Sequence, residues 1–230
     1  MTKISDPRLY VALDLPSVAE AEALVETLGD AVDSYKIGLQ LLPIGGVEFG
    51  QRLKAQGKNV FYDFKLHDIG ATVEKATRSI AGLGADLLTV HARPDVMHSA
   101  VTGRGESGLK LLGVTVLTSL DKSALEAIGY AGTAEDLVMR RVAQAIEAGM
   151  DGVVSSPLEA AAIRAVVPSD FLIVTPGVRM AGGDAGDQKR IATPYDALNN
   201  GASHLVVGRP ISTAAQPRQA ALDVIANMRG

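Results

Sequence analysis

Residues 59–70 read NVFYDFKLHDIG. The stretch opens as a buried strand, with Val60, Phe61, Tyr62 and Phe64 supplying the β-branched and aromatic side chains that strands favour. It closes on two acids and a lysine within six residues, Asp63, Lys65 and Asp68. Residues two apart on a strand share a face, so Asp63 and Lys65 should point one way and Tyr62 and Phe64 the other. Charge at the end of a core strand needs a site to face. The fold follows from what lies on either side.

Outward from that stretch, short apolar runs alternate with alanine-rich amphipathic segments along the whole chain, the pattern of repeated βα units on a parallel sheet. Strands are expected at 9–13, 34–37, 60–65, 87–91, 111–117, 152–154, 171–175 and 205–207. Helices are expected at 18–28, 47–56, 71–83, 134–148, 158–167 and 217–228, with weaker candidates at 95–102 and 194–200. Glycine stops close several of them, as in LGAD, EAGMDG and NNGASH. Eight such units in 230 residues predict an α/β protein built as a (β/α)8 TIM barrel, one domain spanning 1–230, rather than a doubly wound open sheet, which usually needs fewer strands. Two irregular stretches, 118–132 and 176–190, then fall at the C-terminal face, where barrels do their chemistry.

Composition narrows the function. Hydrophobic residues make up 47% and charged residues 21%, as in ordinary globular proteins, and the net charge of -4 comes with scattered Lys and Arg and no tryptophan. A nucleic-acid partner is therefore not expected. The chain has no cysteine, which removes disulfides, thiolate nucleophiles and Cys-ligated metals. No run approaches the length of a membrane span and the first residues lack a leader, so the expectation is a cytoplasmic protein without a membrane partner.

Two further charges end neighbouring strands, Asp14 in YVALDL and Lys36 in SYKIG. With Asp63 and Lys65 they would set alternating charge on one side of the barrel mouth. An internal salt bridge closing the barrel end is the plain alternative. Carboxylates near a lysine favour its ammonium form, which suits a proton donor and opposes a Schiff base. Two ammonium groups also oppose a divalent ion, and His67, His91, His98 and His204 show no paired ligand spacing, so no metal is expected. His91, ending the fourth strand, could face the site. A second signal is VVGRPI at 206–211, where Gly208 and Arg209 follow the eighth strand at a usual phosphate position of barrels. The glycine-rich loop before it carries Arg179 and Gln188 as further donors, or is simply a flexible surface loop. Gly103, Gly105 and Gly108 match G-x-G-x-x-G, but they follow a helix and precede a strand, which is the wrong context for a dinucleotide.

These residues resemble the bacterial orotidine 5'-phosphate decarboxylase family. FYDFKLHDI looks like its D-x-K-x-x-D signature, and VALDL, KIG, LTSL, VTPGVRM, DQKR and VVGRPI appear in the family's order. Metal-dependent sugar-phosphate relatives share the signature but place a glutamate where this chain has Lys36. The resemblance implies decarboxylation of orotidine 5'-monophosphate to uridine 5'-monophosphate without metal or cofactor. It implies that Lys65 protonates C6, that Asp63 sits beside the substrate carboxylate, and that Lys36 and Asp68 complete the charge network and hold ribose hydroxyls. Asp14 and Thr72 would also contact ribose. Thr118, or Ser119 as the alternative, would read the pyrimidine amide. Arg179, Gln188, Gly208 and Arg209 would bind phosphate. It also implies a homodimer in which Asp68 reaches the neighbouring site.

Overall fold

The computed structural model describes residues 4–117, 120, 122–182 and 192–230. Among them, eight parallel strands close into a barrel in sequence order. The chain runs β1 (Leu9–Ala12), α1 (Val18–Leu28), β2 (Ser34–Gly38), α2 (Gly46–Ala55), β3 (Asn59–Leu66), α3 (Gly70–Ala81), β4 (Leu87–His91) and α4 (Pro94–Arg104). It continues with β5 (Lys110–Val114), α5 (Lys122–Ala127), α6 (Ala134–Glu147), β6 (Gly152–Val154), α7 (Ala160–Arg164), β7 (Leu172–Thr175), α8 (Pro194–Asn199), β8 (His204–Val207), α9 (Arg209–Ser212) and α10 (Pro217–Arg229). The expected TIM barrel is the observed one. No described helix is long and apolar enough to cross a membrane.

Strands covered on both faces carry near-continuous apolar runs, and alternation decides which layer each residue joins. In β3, Phe61 points inward, where it meets Tyr10 edge to face at 5.7 Å between ring centroids and joins Leu87, Leu112, Val174 and Val206. Tyr62 and Phe64 point outward and stack at 4.9 Å in the larger core between sheet and helices. The next inward residues after Phe61 are the charged ones. The barrel floor is thus apolar, and its mouth is polar.

Most boundaries shift by one or two residues; the larger departures from the sequence reading fall at β5, α5 and α7, and the four-residue α9 was not expected. β5 stops at Val114 instead of residue 117: Thr115 still bonds the Val154 carbonyl of β6 through its N–H at 3.2 Å and its hydroxyl at 2.8 Å, but its own carbonyl accepts from Arg141. The stretch 118–132, read as irregular, contains α5, whose six residues are too few for a periodic signal. α7 is confined to Ala160–Arg164, since the preceding residues are engaged by Glu159, which accepts from the Ser155 hydroxyl and the Ser156 N–H. Gly84, Gly149 and Gly201, read as helix stops, have φ of 72°, 76° and 99°. Gly103, the first glycine of the misleading G-x-G-x-x-G, lies where a Cβ would come within 2.2 Å of the Glu74 carbonyl oxygen. It lets α4 pack closely on α3.

Candidate active site

β1, β2 and β3 bring Asp14, Lys36, Asp63 and Lys65 into one network, although Lys36, expected at a strand end, is the central residue of β2, and Asp14 lies two residues past β1. The Lys36 ammonium stands between two carboxylates, 3.1 Å from Asp14 and 3.3 Å from Asp63. Lys65 Nζ lies 2.9 Å from the other oxygen of Asp63. That oxygen also accepts from the Thr89 hydroxyl of β4 at 2.9 Å. All four charged residues line a cavity of about 510 Å3 at the C-terminal mouth. The expected pairing of Asp63 with Lys65 is present, although simple strand alternation does not produce it. Lys65 has φ of 48°, the one positive value at a non-glycine among the described residues. Such a conformation costs about 1–3 kcal/mol and is found where a site demands it.

Burial sets the stakes for these charges. Lys36 is 6% exposed. Burial alone would lower its pKa, but the adjacent Asp63 and Asp14 outweigh that and hold the ammonium above its ordinary value. Burial would likewise raise Asp63, and Lys36 and Lys65 outweigh it, keeping the carboxyl below the usual carboxylate range. The network is self-consistent only as a set. Removing one member leaves another charge buried without its partner.

The rest of the cavity divides by chemistry. Val114, Val116, Leu117 and Val154 give an apolar wall on the β5 and β6 side, suited to the face of a planar ring. Arg179, Gly208, Arg209 and Ser212 gather from the segments after β7 and β8. Arg179 is buried and donates to the Val178 carbonyl at 2.8 Å, while its N–H bonds to Ala192 at 3.0 Å. That bond and the Val178–Ala192 bridge tie the two ends of the intervening loop together. Gln40 also lines the cavity. Sequence reading passed over Gln40 and Ser212, because a polar residue just past a strand has no distinguishing pattern.

Not every expected residue arrives. Asp68 and Thr72 are exposed and do not line this cavity within one chain. The Asp68 carboxylate accepts from the Ile69 N–H at 2.6 Å, and Ile69 is 71% exposed. His91 faces a separate cleft of about 210 Å3 with His67, Arg93, Tyr130 and Arg141. Its ring is 4.8 Å from that of His67, and its pKa is lowered by burial first and then by His67, Arg141 and Lys65. Thr118, Ser119 and Gln188 lie outside the described residues.

Gly38 ends β2 directly beneath the network. A Cβ on it would fall 2.5 Å from an Asp14 carboxylate oxygen and 3.0 Å from Lys36 Nζ, while its own φ lies outside the left-handed region. The backbone would accept alanine, and the space would not. Gly38→Ala should therefore fold normally yet lower kcat/KM about 10- to 100-fold by displacing the pair. The penalty should shrink in an Asp14→Ala background, where the closer of the two contacts is gone. Equal penalties in both backgrounds, measured as steady-state kinetics on the four variants of the cycle, would sink this reading.

The arrangement offers a buried ammonium beside a carboxylate, an apolar slot and an anion grip on the opposite side. Known proteins resemble this chain along its full length. The sequence profile of the Orotidine 5'-phosphate decarboxylase / HUMPS family matches residues 7–224. A protein named orotidine 5'-phosphate decarboxylase from Caulobacter sp. is 60% identical over 226 residues, covering 98% of this chain and 99% of its own. One of the same name from Methylobacterium radiotolerans is 54% identical, covering 99% of this chain and 100% of its own. The crystal structure of orotidine 5'-phosphate decarboxylase from Lactobacillus acidophilus superposes with a TM-score of 0.85 at 33% identity, covering 98% of this chain and 100% of that one. With the profile spanning nearly the whole barrel and relatives matched end to end, this chain belongs to the orotidine 5'-phosphate decarboxylase / HUMPS family.

Proposed function

We propose that this chain decarboxylates orotidine 5'-monophosphate to uridine 5'-monophosphate and carbon dioxide in de novo pyrimidine biosynthesis, acting as a carboxy-lyase without metal or cofactor. The observation that carries the reading is Lys36. In the metal-dependent sugar-phosphate relatives a glutamate occupies this position; here an ammonium fills the space between Asp14 and Asp63. A cation fixed there leaves those carboxylates already paired and opposes a second, divalent one.

The chemistry follows from the substrate. When the C6–carboxylate bond breaks, its electron pair stays on C6 in the plane of the ring, where no attached group can delocalise it. Lys65, beside Asp63, stabilises that developing charge and delivers its proton to C6 as carbon dioxide leaves. The ammonium is later restored from water. Asp63 sits next to the departing carboxylate, and Lys36 with Asp14 fixes the ribose hydroxyls. The apolar wall receives the pyrimidine, whose amide is read by Thr118, with Ser119 the alternative. Arg179, Gln188, Gly208 and Arg209 hold the phosphate, so binding energy remote from C6 lowers the barrier at C6.

The protein acts as a homodimer in the cytoplasm, with residues 1–230 forming one barrel domain and no nucleic-acid or membrane partner. Asp68 and Thr72 serve the neighbouring subunit's site. Their exposure in a single chain, away from its own cavity, supports that placement. The deciding experiment is loss of the orotate chromophore on mixing purified protein with orotidine 5'-monophosphate, with and without EDTA. Turnover indifferent to the chelator is expected. Activity that EDTA abolishes, or activity only on ketose phosphates with magnesium, would overturn the reading.

A further inference from the structure

Asp63 keeps its register with Gly38 of β2, but Lys65 does not reach its position by regular strand geometry. Tyr62 of β3 pairs with Leu88 of β4, and Leu66 pairs with Val90. Three residues of β3, Asp63, Phe64 and Lys65, therefore stand opposite one residue of β4, Thr89. A bulge of this kind re-aims side chains at the cost of ladder bonds. Thr89 is fully buried, and its one hydroxyl serves both ends of the bulge. It accepts from the Lys65 N–H at 3.0 Å and donates to the Asp63 carboxylate at 2.9 Å. The first contact holds the left-handed backbone of Lys65, and the second fixes which Asp63 oxygen faces Lys65 Nζ.

We infer that Thr89 is a positioning residue for the decarboxylation, acting through its hydroxyl to lock the β3 bulge and so to set the Asp63–Lys65 geometry. This rests on the proposed roles of Asp63 and Lys65. Thr89 does not line the cavity. Its effect should thus fall on the chemical step and leave nucleotide binding nearly alone. A methyl cannot replace the function, since Asp63 and the Lys65 N–H would both lose a partner in a buried setting.

Three substitutions separate the hydroxyl from packing. Thr89→Ser keeps the hydroxyl and loses the methyl, Thr89→Val keeps the volume and loses the hydroxyl, and Thr89→Ala loses both. Steady-state kinetics on orotidine 5'-monophosphate should give Thr89→Ser a kcat within about threefold of the parent, with Thr89→Val and Thr89→Ala down about tenfold or more and uridine 5'-monophosphate affinity little changed. A role in packing alone predicts the reverse order, with Thr89→Val the most active, and that order would overturn the inference. If Thr89→Val fails to fold, the Ser and Ala variants still differ by the hydroxyl alone, and equal kcat values in those two would also overturn it. Parent protein that fails to turn over orotidine 5'-monophosphate would instead remove the functional reading on which the inference stands.

Discussion

Lys65→Ala is expected to fold, to bind uridine 5'-monophosphate close to normally, and to release carbon dioxide from orotidine 5'-monophosphate at least about 10^3-fold more slowly. Two effects are lost with one group. A positioned general acid contributes about 10^2- to 10^4-fold, and a fixed charge aimed at a developing anion contributes on a similar scale. They act through the same ammonium, so their product is not the expectation. The product's affinity should survive, because the phosphate contacts proposed for Arg179 and Arg209 come from the segments after β7 and β8, and the apolar wall from the β5 and β6 side, not from Lys65. Lys65→Arg should not restore turnover, since a guanidinium keeps the charge but is an exceedingly weak acid in a different shape. Calorimetric binding of uridine 5'-monophosphate and the decay of the orotate chromophore measure the two halves separately. A folded Lys65→Ala within about tenfold of parental kcat would remove Lys65 from the proton-transfer step.

The same network shows what a sequence discloses and where it stops. The barrel was readable because each strand is a short β-branched run and each connection a helix-period segment, and because parallel strands covered on both faces carry no alternation to confuse the count. The charged mouth was readable for a chemical reason: Asp14, Lys36 and Lys65 stand within or just after strand-like apolar runs, where a charge is conspicuous. Thr89 was not readable. It sits in LLTVH, where threonine is an ordinary strand residue, and its importance arises from a three-against-one mismatch that no local pattern encodes. Gly38 was equally silent, since the clash that forbids a side chain comes from Asp14, 24 positions earlier in the chain and adjacent only after the barrel closes. The pairing of Asp63 with Lys65 was anticipated from alternation and is achieved by a left-handed residue instead. The expectation was right about the neighbours and silent about the backbone that joins them. Asp68 and Thr72 mark a different boundary: both are exposed and away from their own chain's cavity, so the role proposed for them in a dimer is legible neither in the sequence nor in one chain's geometry.

Asp63→Asn should strike catalysis and folding together, where Lys65→Ala strikes catalysis alone. The carboxylate accepts from Lys65, Thr89 and Lys36, using both oxygens. Asparagine offers one oxygen, and its amide group would place a donor against an ammonium or the Thr89 hydroxyl. Lys36 remains buried with only the half-exposed Asp14 as partner. Breaking a buried pair by removing one side costs about 3–5 kcal/mol, and the retained Asp14 argues for about 3 kcal/mol here. kcat should fall about 100-fold or more as Lys65 loses the group that aims it. The pH dependence carries the sign of each shift. Asp63 is held below its unfolded pKa of about 3.9, so its contribution is complete above that value and is lost as pH falls through the lowered folded value. Lys36 is held above its unfolded pKa of about 10.4, so its contribution is complete below that value and is lost as pH rises through the raised one. In the parent, the pair's contribution is therefore level from about pH 4 to pH 10. In Asp63→Asn, burial acts on Lys36 with one carboxylate fewer to oppose it, so its folded pKa falls relative to the parent. The stability deficit, measured by urea denaturation at pH 5, 7 and 9, should then stay level or narrow toward pH 9, and not widen. A deficit under about 1 kcal/mol at pH 7, or one that widens as pH rises, would mean that Lys36 does not depend on Asp63 for its charge.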